Sequence, residues 1–156
     1  MRDLSGKAIA IVATSGFEQS ELEVPLETLR KAGAQVDVVS LEPGEIKGWD
    51  QKDWGRSVPV DKTVAAVTAD QYDAVVLPGG QINPDLLRVE PEVLALIKDF
   101  WQQGKVVAAI CHAPWLLVET GIVKGRRVTS YPSVRTDVVN AGGRWKTARS
   151  SPTRAW

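Results

Sequence analysis

The residues best suited to covalent chemistry lie in three short stretches, each soon after an apolar run. The stretches are Glu18, Gly79-Gly80 and Cys111-His112, and the apolar runs before them span residues 8–13, 72–77 and 106–110. In an open parallel sheet, ligands bind beyond the carboxyl ends of the strands. We therefore expect the three stretches, which are far apart in sequence, to meet on one rim of a sheet.

Cys111 is the candidate nucleophile. It ends an apolar run and comes shortly before Pro114, and proline is favoured at the first position of a helix. Its sulfur is therefore predicted to lie at a helix N-terminus, where the dipole favours the thiolate and lowers the thiol pKa. The same strand–turn–helix pattern forms a nucleophile elbow. The alternative is that a lone cysteine is a small buried hydrophobic residue, but the position after the strand favours the nucleophile.

Each of the other candidates also has a purely structural interpretation. His112 is either the base that takes the thiol proton or a residue beside the turn. Glu18 is either an acid that hydrogen-bonds the sulfur or a solvated carboxylate. The main-chain N–H of Gly79 or Gly80, paired with that of His112, would stabilise an oxyanion, whereas the two glycines also suit a tight turn.

Length and composition predict one folded domain and exclude several other classes. The chain has 156 residues, of which 44% are hydrophobic and 24% are charged, as in ordinary folded domains. Its longest apolar runs are far shorter than the ~20 residues that cross a membrane. One cysteine and one histidine exclude an internal disulfide and two-histidine zinc motifs, and dinucleotide and P-loop motifs are absent from the sequence. We therefore predict no metal, no cofactor and a cytoplasmic location.

Charge is distributed unevenly along a chain whose formal net charge is zero. Residues 1–120 hold 11 basic and 18 acidic side chains, whereas residues 121–156 hold 8 and 1. A basic end of this kind would suit a phosphate-binding tail. We favour the alternative that it covers acidic helices of the same fold or is solvated. Because no DNA- or RNA-binding signature accompanies the charge, nucleic acid is not an expected partner.

Apolar runs alternate with amphipathic segments along the chain. The predicted strands span residues 8–13, 35–41, 72–77, 106–110 and 127–130. The predicted helices begin near Ser20, Pro91, Pro114 and Ser133, and a short hairpin is expected within residues 42–70. Such alternation gives βαβ units, and hence an α/β domain with a parallel sheet and helices on both faces.

Taken together, these motifs resemble the PfpI-type intracellular proteases and protein deglycases of the class I glutamine-amidotransferase-like superfamily. The matching stretches, in order between about residues 7 and 145, are Gly16–Leu22, Leu77–Gly80, Ala109–Pro114, Thr129–Pro132 and Asn140–Gly142. The resemblance implies a flavodoxin-like three-layer sandwich with a mostly parallel sheet.

The resemblance also implies roles for individual residues. It makes Cys111 the nucleophile and Glu18 the acid that hydrogen-bonds its sulfur. His112 becomes the partner whose main-chain N–H forms the oxyanion hole with Gly80. Asp85 matches the position of a carboxylate that a neighbouring subunit contributes to the triad. The resemblance therefore implies a homodimer or a larger homo-oligomer with a shared active site.

The end of the chain departs from this family pattern. Family members continue after the position of Trp145 into a valine-rich strand and a C-terminal helix, whereas residues 146–156 show no apolar periodicity. We interpret residues 1–145 as the family domain and residues 146–156 as an irregular basic tail, left by truncation or by a shift in the reading frame.

Three functions are compatible with this pattern. The expected one is a cysteine-dependent stress-response hydrolase, in which Cys111 attacks a glycated group or a reactive aldehyde on a small molecule or a glycated protein. The alternatives are an intracellular cysteine peptidase and a redox sensor that responds through oxidation of Cys111.

Overall fold

A five-stranded parallel sheet forms the centre of the computed structural model, which describes residues 3–147. Within that range the strands are β1 (Ala8–Val12), β2 (Gln35–Ser40), β3 (Glu45–Asp50), β4 (Asp53–Pro59), β5 (Lys62–Thr63), β6 (Ala74–Leu77), β7 (Val106–Ala109), β8 (Arg127–Val128) and β9 (Arg144–Trp145). The helices are α1 (Gln19–Lys31), α2 (Ile82–Leu87), α3 (Pro91–Gln102), α4 (Pro114–Glu119) and α5 (Arg135–Asn140). Short 3₁₀ turns at 64–66, 69–71 and 132–134 complete the regular structure of this range.

The order of the strands fixes where a ligand can bind. The central sheet runs β5-β2-β1-β6-β7, and every pair of neighbours in it is parallel. The chain proceeds from β1 to one side of the sheet and then returns to the other side through β6. This reversal creates a crevice at the carboxyl ends of β1 and β6, as in flavodoxin-like folds. The predicted α/β, flavodoxin-like class is confirmed.

Two hydrophobic cores lie on opposite faces of the sheet and make the fold a three-layer sandwich. One core contains Phe100 and other side chains of α3, α4 and α5. The other core contains Leu22 and further apolar residues of α1, β3 and β4. Side chains alternate along β1, so that Val12 faces the first core and Ile11 faces the second.

Most predicted elements are confirmed, with differences at their ends. Helix α1 begins at Gln19, one residue before the predicted Ser20, and Glu18 is its N-cap residue. The hairpin predicted within residues 42–70 is the antiparallel pair of β3 and β4. The sequence pattern does not predict α2, β5 or β9; α2 has six residues and, unlike α4, no proline in its first two positions.

The expectation that helices cover both faces of the sheet is wrong at β7. Val106 and Ile110 are 49% and 51% exposed, and exposed positions alternate along this strand. Strand β7 lies at the edge of the sheet, and helix α1 packs over β2 rather than over β7. One face of β7 is therefore open, although a continuous apolar run is typical of a strand buried on both sides.

A buried carboxylate on β2 has several polar partners, of which Tyr72 and Lys62 have the largest effect. Asp37 accepts a hydrogen bond from the Tyr72 hydroxyl at 2.8 Å and pairs with the Lys62 ammonium at 2.9 Å. Burial alone would raise the pKa of Asp37, but the contacts with Lys62 and Tyr72 outweigh it, and the pKa is lowered. Burial, together with Asp37, raises the pKa of Tyr72, so that its hydroxyl stays protonated and remains a donor.

Removal of the Tyr72 hydroxyl is expected to destabilise the fold. Tyr72→Phe leaves the charge of Asp37 buried with one partner fewer, and we expect a loss of about 1–2 kcal/mol in the free energy of unfolding. Urea denaturation measures this loss. Tyr131→Phe is the matched control, because Tyr131 is half exposed. Equal unfolding midpoints for the two variants would contradict the prediction.

No helix within residues 3–147 is long and apolar enough to cross a membrane. At the end of this range, the main-chain N–H of Lys146 donates to the carbonyl of Val128 at 3.0 Å, beside β8. Residues 148–156, which form most of the basic tail predicted at residues 146–156, lie outside the described residues. The interpretation of that tail therefore stays a prediction.

Candidate active site

Cys111 lies on a sharp turn between β7 and α4. Its φ is 62°, in the left-handed region that residues with a side chain rarely adopt. Two main-chain hydrogen bonds hold the turn: Ala113 N–H donates to the Ile110 carbonyl at 3.0 Å, and Tyr131 N–H donates to the Cys111 carbonyl at 2.7 Å. Such a conformation costs about 1–3 kcal/mol and persists where the surrounding structure enforces it. The turn has the geometry of a nucleophile elbow, with a partly buried thiol.

Polar groups from three elements converge on the Cys111 sulfur. The main-chain N–H groups of Gly80, after β6, and of His112, on the elbow, both donate to it. His112 Nδ1 lies 3.1 Å from Sγ. A carboxyl group from the first turn of α1 is also hydrogen-bonded to the thiol. The loops at the carboxyl ends of β6 and β7 and the start of α1 therefore meet on one rim of the sheet.

The carboxyl group beside the sulfur belongs to Glu21 rather than to Glu18. Glu21 Oε2 accepts the N–H of Gly79 at 2.8 Å, and its carboxyl is hydrogen-bonded with Cys111. Glu18 precedes the helix, and its main-chain N–H donates to the Gly79 carbonyl at 3.4 Å. The sequence offers two glutamates three residues apart, and the structure places Glu18 at the N-cap of α1 and Glu21 in its first turn. The point at which α1 begins, and its direction, decide which of them reaches the thiol.

Burial and negative charge keep the thiol protonated. Burial, followed by the charge of Glu21, raises the pKa of Cys111 to about 11, although the N–H groups of Gly80 and His112 oppose this. The predicted lowering of the thiol pKa at a helix N-terminus is therefore wrong. Burial also raises the pKa of Glu21 and lowers that of His112. The imidazole is accordingly neutral near pH 7 and able to accept a proton.

The two glycines that follow β6 both contact Glu21, but of the two only Gly80 also reaches the thiol. The N–H of Gly79 is engaged by Glu21, so it is not free to bind an oxyanion. Gly80, at φ 77°, directs its N–H to the Cys111 sulfur. Of the three predicted oxyanion-hole residues, Gly80 and His112 thus point an N–H at the reacting atom, whereas Gly79 holds the acid in place.

Replacing Gly79 with alanine is expected to disrupt the site. A Cβ at this position would lie 2.5 Å from both Cys111 Cβ and Glu21 Oε2, and 2.7 Å from the Ile110 carbonyl oxygen. Such overpacking costs about 1–3 kcal/mol, and the loop must move away from the thiol to relieve it. Urea denaturation should show the lower stability, and the rate of Cys111 alkylation should change. A variant with both quantities unaltered would contradict the close packing described here.

Asn83 joins the loops that follow β1 and β6. It is fully buried on α2, and its Nδ2 donates to the carbonyls of Pro78 and Gly79 at 2.9 and 3.1 Å. Its Oδ1 accepts the N–H of Thr14 at 2.8 Å. The amide therefore fixes the glycine loop against the neighbouring strand end. Sequence reasoning missed it because asparagine after a glycine pair is just as typical of an exposed turn.

The imidazole of His112 is enclosed by aromatic rings. It is 8% exposed, stacks on Tyr131 at 4.7 Å between ring centroids, and meets Trp115 edge-on at 5.1 Å. Its Nε2 lies 3.2 Å from Ser133 Oγ. Adjacent residues on a regular element point apart, so the sharp turn at Cys111 is what brings this ring to the sulfur.

Asp85 is not among the groups that surround Cys111 and His112. It is exposed on the first turn of α2. Its contribution to the site of a neighbouring subunit, implied by the family resemblance, stays a prediction.

An apolar groove opens beside Glu21, along the exposed face of β7. Its volume is about 430 Å³, which is in the range of sites for small organic molecules. Its lining includes Glu21, Val24, Pro25, Val76, Ala108 and Ile110. Within residues 3–147, no group of three or more His, Cys, Asp or Glu side chains is arranged to hold a metal ion.

Comparison with known proteins points to a single family. The model of the DJ-1/PfpI family matches residues 7–150. Deglycase TK1284 from Thermococcus kodakarensis is 39% identical over 137 residues, which cover 88% of this chain and 80% of that protein. Putative cysteine protease YraA from Bacillus subtilis is 38% identical over 143 residues, which cover 91% of this chain and 82% of that protein.

The likeness extends to three dimensions. The crystal structure of Drosophila melanogaster DJ-1beta matches this fold with a TM-score of 0.82 and 30% sequence identity. The match covers 92% of this chain and 75% of that one. The sheet and its flanking helices are therefore shared between the two proteins.

Proposed function

Because the chain belongs to the DJ-1/PfpI family, we propose that it is a cysteine-dependent hydrolase that acts on glycated groups or reactive aldehydes. The environment of Cys111 is the observation that carries this proposal. Its thiol lies on a strained turn, receives two main-chain N–H groups, and has a neutral imidazole nitrogen 3.1 Å away. A nucleophile, a base and oxyanion donors are thus within reach of one reacting carbon.

The proposed reaction begins as the Cys111 sulfur attacks a carbonyl carbon and His112 Nδ1 takes the thiol proton. The carbonyl oxygen becomes an oxyanion, which the N–H groups of Gly80 and His112 stabilise. With a 2-oxoaldehyde, transfer of the aldehyde hydrogen to the neighbouring carbon gives a 2-hydroxyacyl thioester. Water then releases the 2-hydroxy acid and restores the thiol, so the net reaction consumes only water. With a glycated amine or thiol, the sulfur displaces the amine or thiol from the adduct carbon, the leaving group takes the proton that His112 holds, and the free amine or thiol is a second product.

The groove beside Glu21 is a candidate site for a small or peripheral substrate group, and its lining ends at Glu21 and Ile110 without including Cys111 or His112. Its volume of about 430 Å³ would hold a small adduct, and its apolar lining reaches the acid that contacts the thiol. An extended peptide would have to present its scissile carbonyl to a thiol that is itself partly buried. We therefore place deglycase or glyoxalase-type hydrolysis ahead of peptide hydrolysis.

A cysteine peptidase is the second candidate, and the 38% identity to Putative cysteine protease YraA favours it. The same nucleophile, base and oxyanion donors would serve acyl transfer from a peptide bond. The two functions therefore differ in the substrate that reaches Cys111 and not in the chemistry of the site.

A substrate panel with the purified full chain tests these functions. The panel contains methylglyoxal, methylglyoxal-treated N-acetylarginine and N-acetylcysteine, and a fluorogenic peptide library. We expect formation of 2-hydroxy acid and release of the free amino acids. Cleavage of the peptides alone would favour the peptidase. Oxidation of Cys111 by peroxide without turnover of any substrate would favour a redox sensor.

We also propose that the protein forms a homodimer or a larger homo-oligomer and that it acts in the cytoplasm. Ile82 and Leu86 of α2 are 37% and 47% exposed on either side of the exposed Asp85, which gives this helix an apolar surface for a second copy. A single cysteine suits a reducing compartment. Light scattering after size-exclusion chromatography tests the assembly, and a monomer at micromolar concentration would contradict it.

A further inference from the structure

Both ring nitrogens of His112 have side-chain partners within the same chain. Nδ1 lies 3.1 Å from Cys111 Sγ, and Nε2 lies 3.2 Å from Ser133 Oγ. The ring is held between Tyr131 and Trp115. Its freedom to turn is therefore small, and the proton arrangement on the two nitrogens depends on what each partner can donate or accept.

Ser133 is placed by the same loop that supports the nucleophile. It lies in the short 3₁₀ turn Pro132–Val134, in which Val134 is fully buried. The residue before this turn, Tyr131, donates its N–H to the Cys111 carbonyl and stacks on the imidazole. One loop therefore holds the backbone of Cys111, one face of the His112 ring and the far nitrogen of that ring.

The Ser133 hydroxyl is able to accept a hydrogen bond from Nε2, the ring nitrogen of His112 that does not face the sulfur. As an acceptor, Ser133 Oγ stabilises the tautomer that carries its proton on Nε2. This tautomer leaves the Nδ1 lone pair facing the thiol, as a base requires. After Nδ1 takes the proton, the ring is a cation with an N–H on each nitrogen, and Oγ still accepts from Nε2. The opposite tautomer would place an N–H against the sulfur and leave the thiol without a base.

We propose that Ser133 is the positioning residue that sets the tautomer and orientation of His112 from within the same chain. The proposal rests on the proposed function, because Ser133 would be the third group of a nucleophile–base arrangement, the one that orients the base. It differs from the arrangement implied by the family resemblance, in which Asp85 of a neighbouring subunit has this part. A hydroxyl, unlike a carboxylate, adds no charge, which agrees with a His112 whose pKa is lowered by burial.

His112 is the only histidine of the chain, so its tautomer can be observed directly by ¹⁵N NMR of the imidazole. In the full-length protein we expect Nε2 to carry the proton and Nδ1 to be bare at pH 7.5. Ser133→Ala should give a mixture of tautomers, and Ser133→Thr should restore the original spectrum. Ser130→Ala, on the same loop, is the matched control and should keep that spectrum.

Kinetics provide the second readout. We expect Ser133→Ala to lower kcat about tenfold with little change in KM, and Ser133→Thr to recover most of it, because a general base without its orienting partner loses part of its effect. A proton on Nδ1 in the unmodified protein, a spectrum unchanged in Ser133→Ala, or an equal change in Ser130→Ala would overturn the proposal. So would a loss of the Nε2–H tautomer in Asp85→Asn.

The two proposals fail in distinguishable ways. Absence of turnover with every substrate in the panel would contradict the proposed function, while the tautomer measurement would still decide the part played by Ser133. Conversely, normal turnover together with an Nδ1–H tautomer would contradict the positioning role alone.

Discussion

Cys111→Ala is expected to reduce turnover of methylglyoxal and of glycated amino acids by at least ~10³-fold, since removal of a covalent nucleophile leaves little more than binding and oxyanion stabilisation. Cys111→Ser should be nearly as inactive. Its hydroxyl is far less acidic than a thiol. Because burial lowers the pKa of His112, the imidazole is also a weaker base for removing the proton of that hydroxyl. The measurement is the formation of 2-hydroxy acid at saturating substrate.

The Ala and Ser variants are expected to keep their fold, because both side chains are small and fit the space of the thiol. Thermal unfolding should therefore change little relative to Val139→Ala, an exposed substitution on α5. Turnover that survives in Cys111→Ala would show that the sulfur is not the nucleophile. The proposed hydrolase mechanism would then have to be abandoned.

The fold could be predicted largely from the sequence because its strands and long helices carry strong periodic signals. The continuous apolar run of β1 and the apolar stripe of α3 indicate a buried parallel strand and an amphipathic helix. Two features depend on tertiary packing and leave no such signal. Helix α2 has six residues and, unlike the equally short α4, no proline at its start to mark it. The open face of β7 arises from what packs beside it and not from its own residues.

The position of the candidate site could be predicted from the sequence, but the side-chain contacts within it could not. Strand ends followed by Cys111 or by Gly80 mark the rim, because parallel topology alone brings such positions together. The choice between Glu18 and Glu21 depends on where α1 begins, which a pattern fixes only to within a few residues. Ser133 reaches His112 across 21 residues of sequence, and a serine in a loop carries no local sign of such a contact.

Glu21→Gln is expected to move the upper titration of the Cys111 thiol to lower pH. In the unmodified protein, the charge of Glu21 adds to burial and raises the pKa of Cys111 to about 11. A carboxyl and a thiol in contact titrate as a pair, in which the loss of the first proton makes the second harder to remove. Glutamine keeps the size of the side chain and an acceptor for the Gly79 N–H but has no charge. The thiol of the variant should therefore titrate in one step, still raised by burial but clearly below pH 11.

The rate of iodoacetamide alkylation of Cys111 between pH 6 and 11.5 measures this shift, because only the thiolate reacts. The rate for the unmodified protein should keep rising up to about pH 11, whereas that of Glu21→Gln should level off at lower pH. Glu18→Gln is the matched control: Glu18 acts on the pKa of Glu21 through its charge, so its replacement should leave the upper step of the thiol near pH 11. If instead Glu18→Gln lowers the plateau and Glu21→Gln does not, Glu18 is the acid that controls the sulfur.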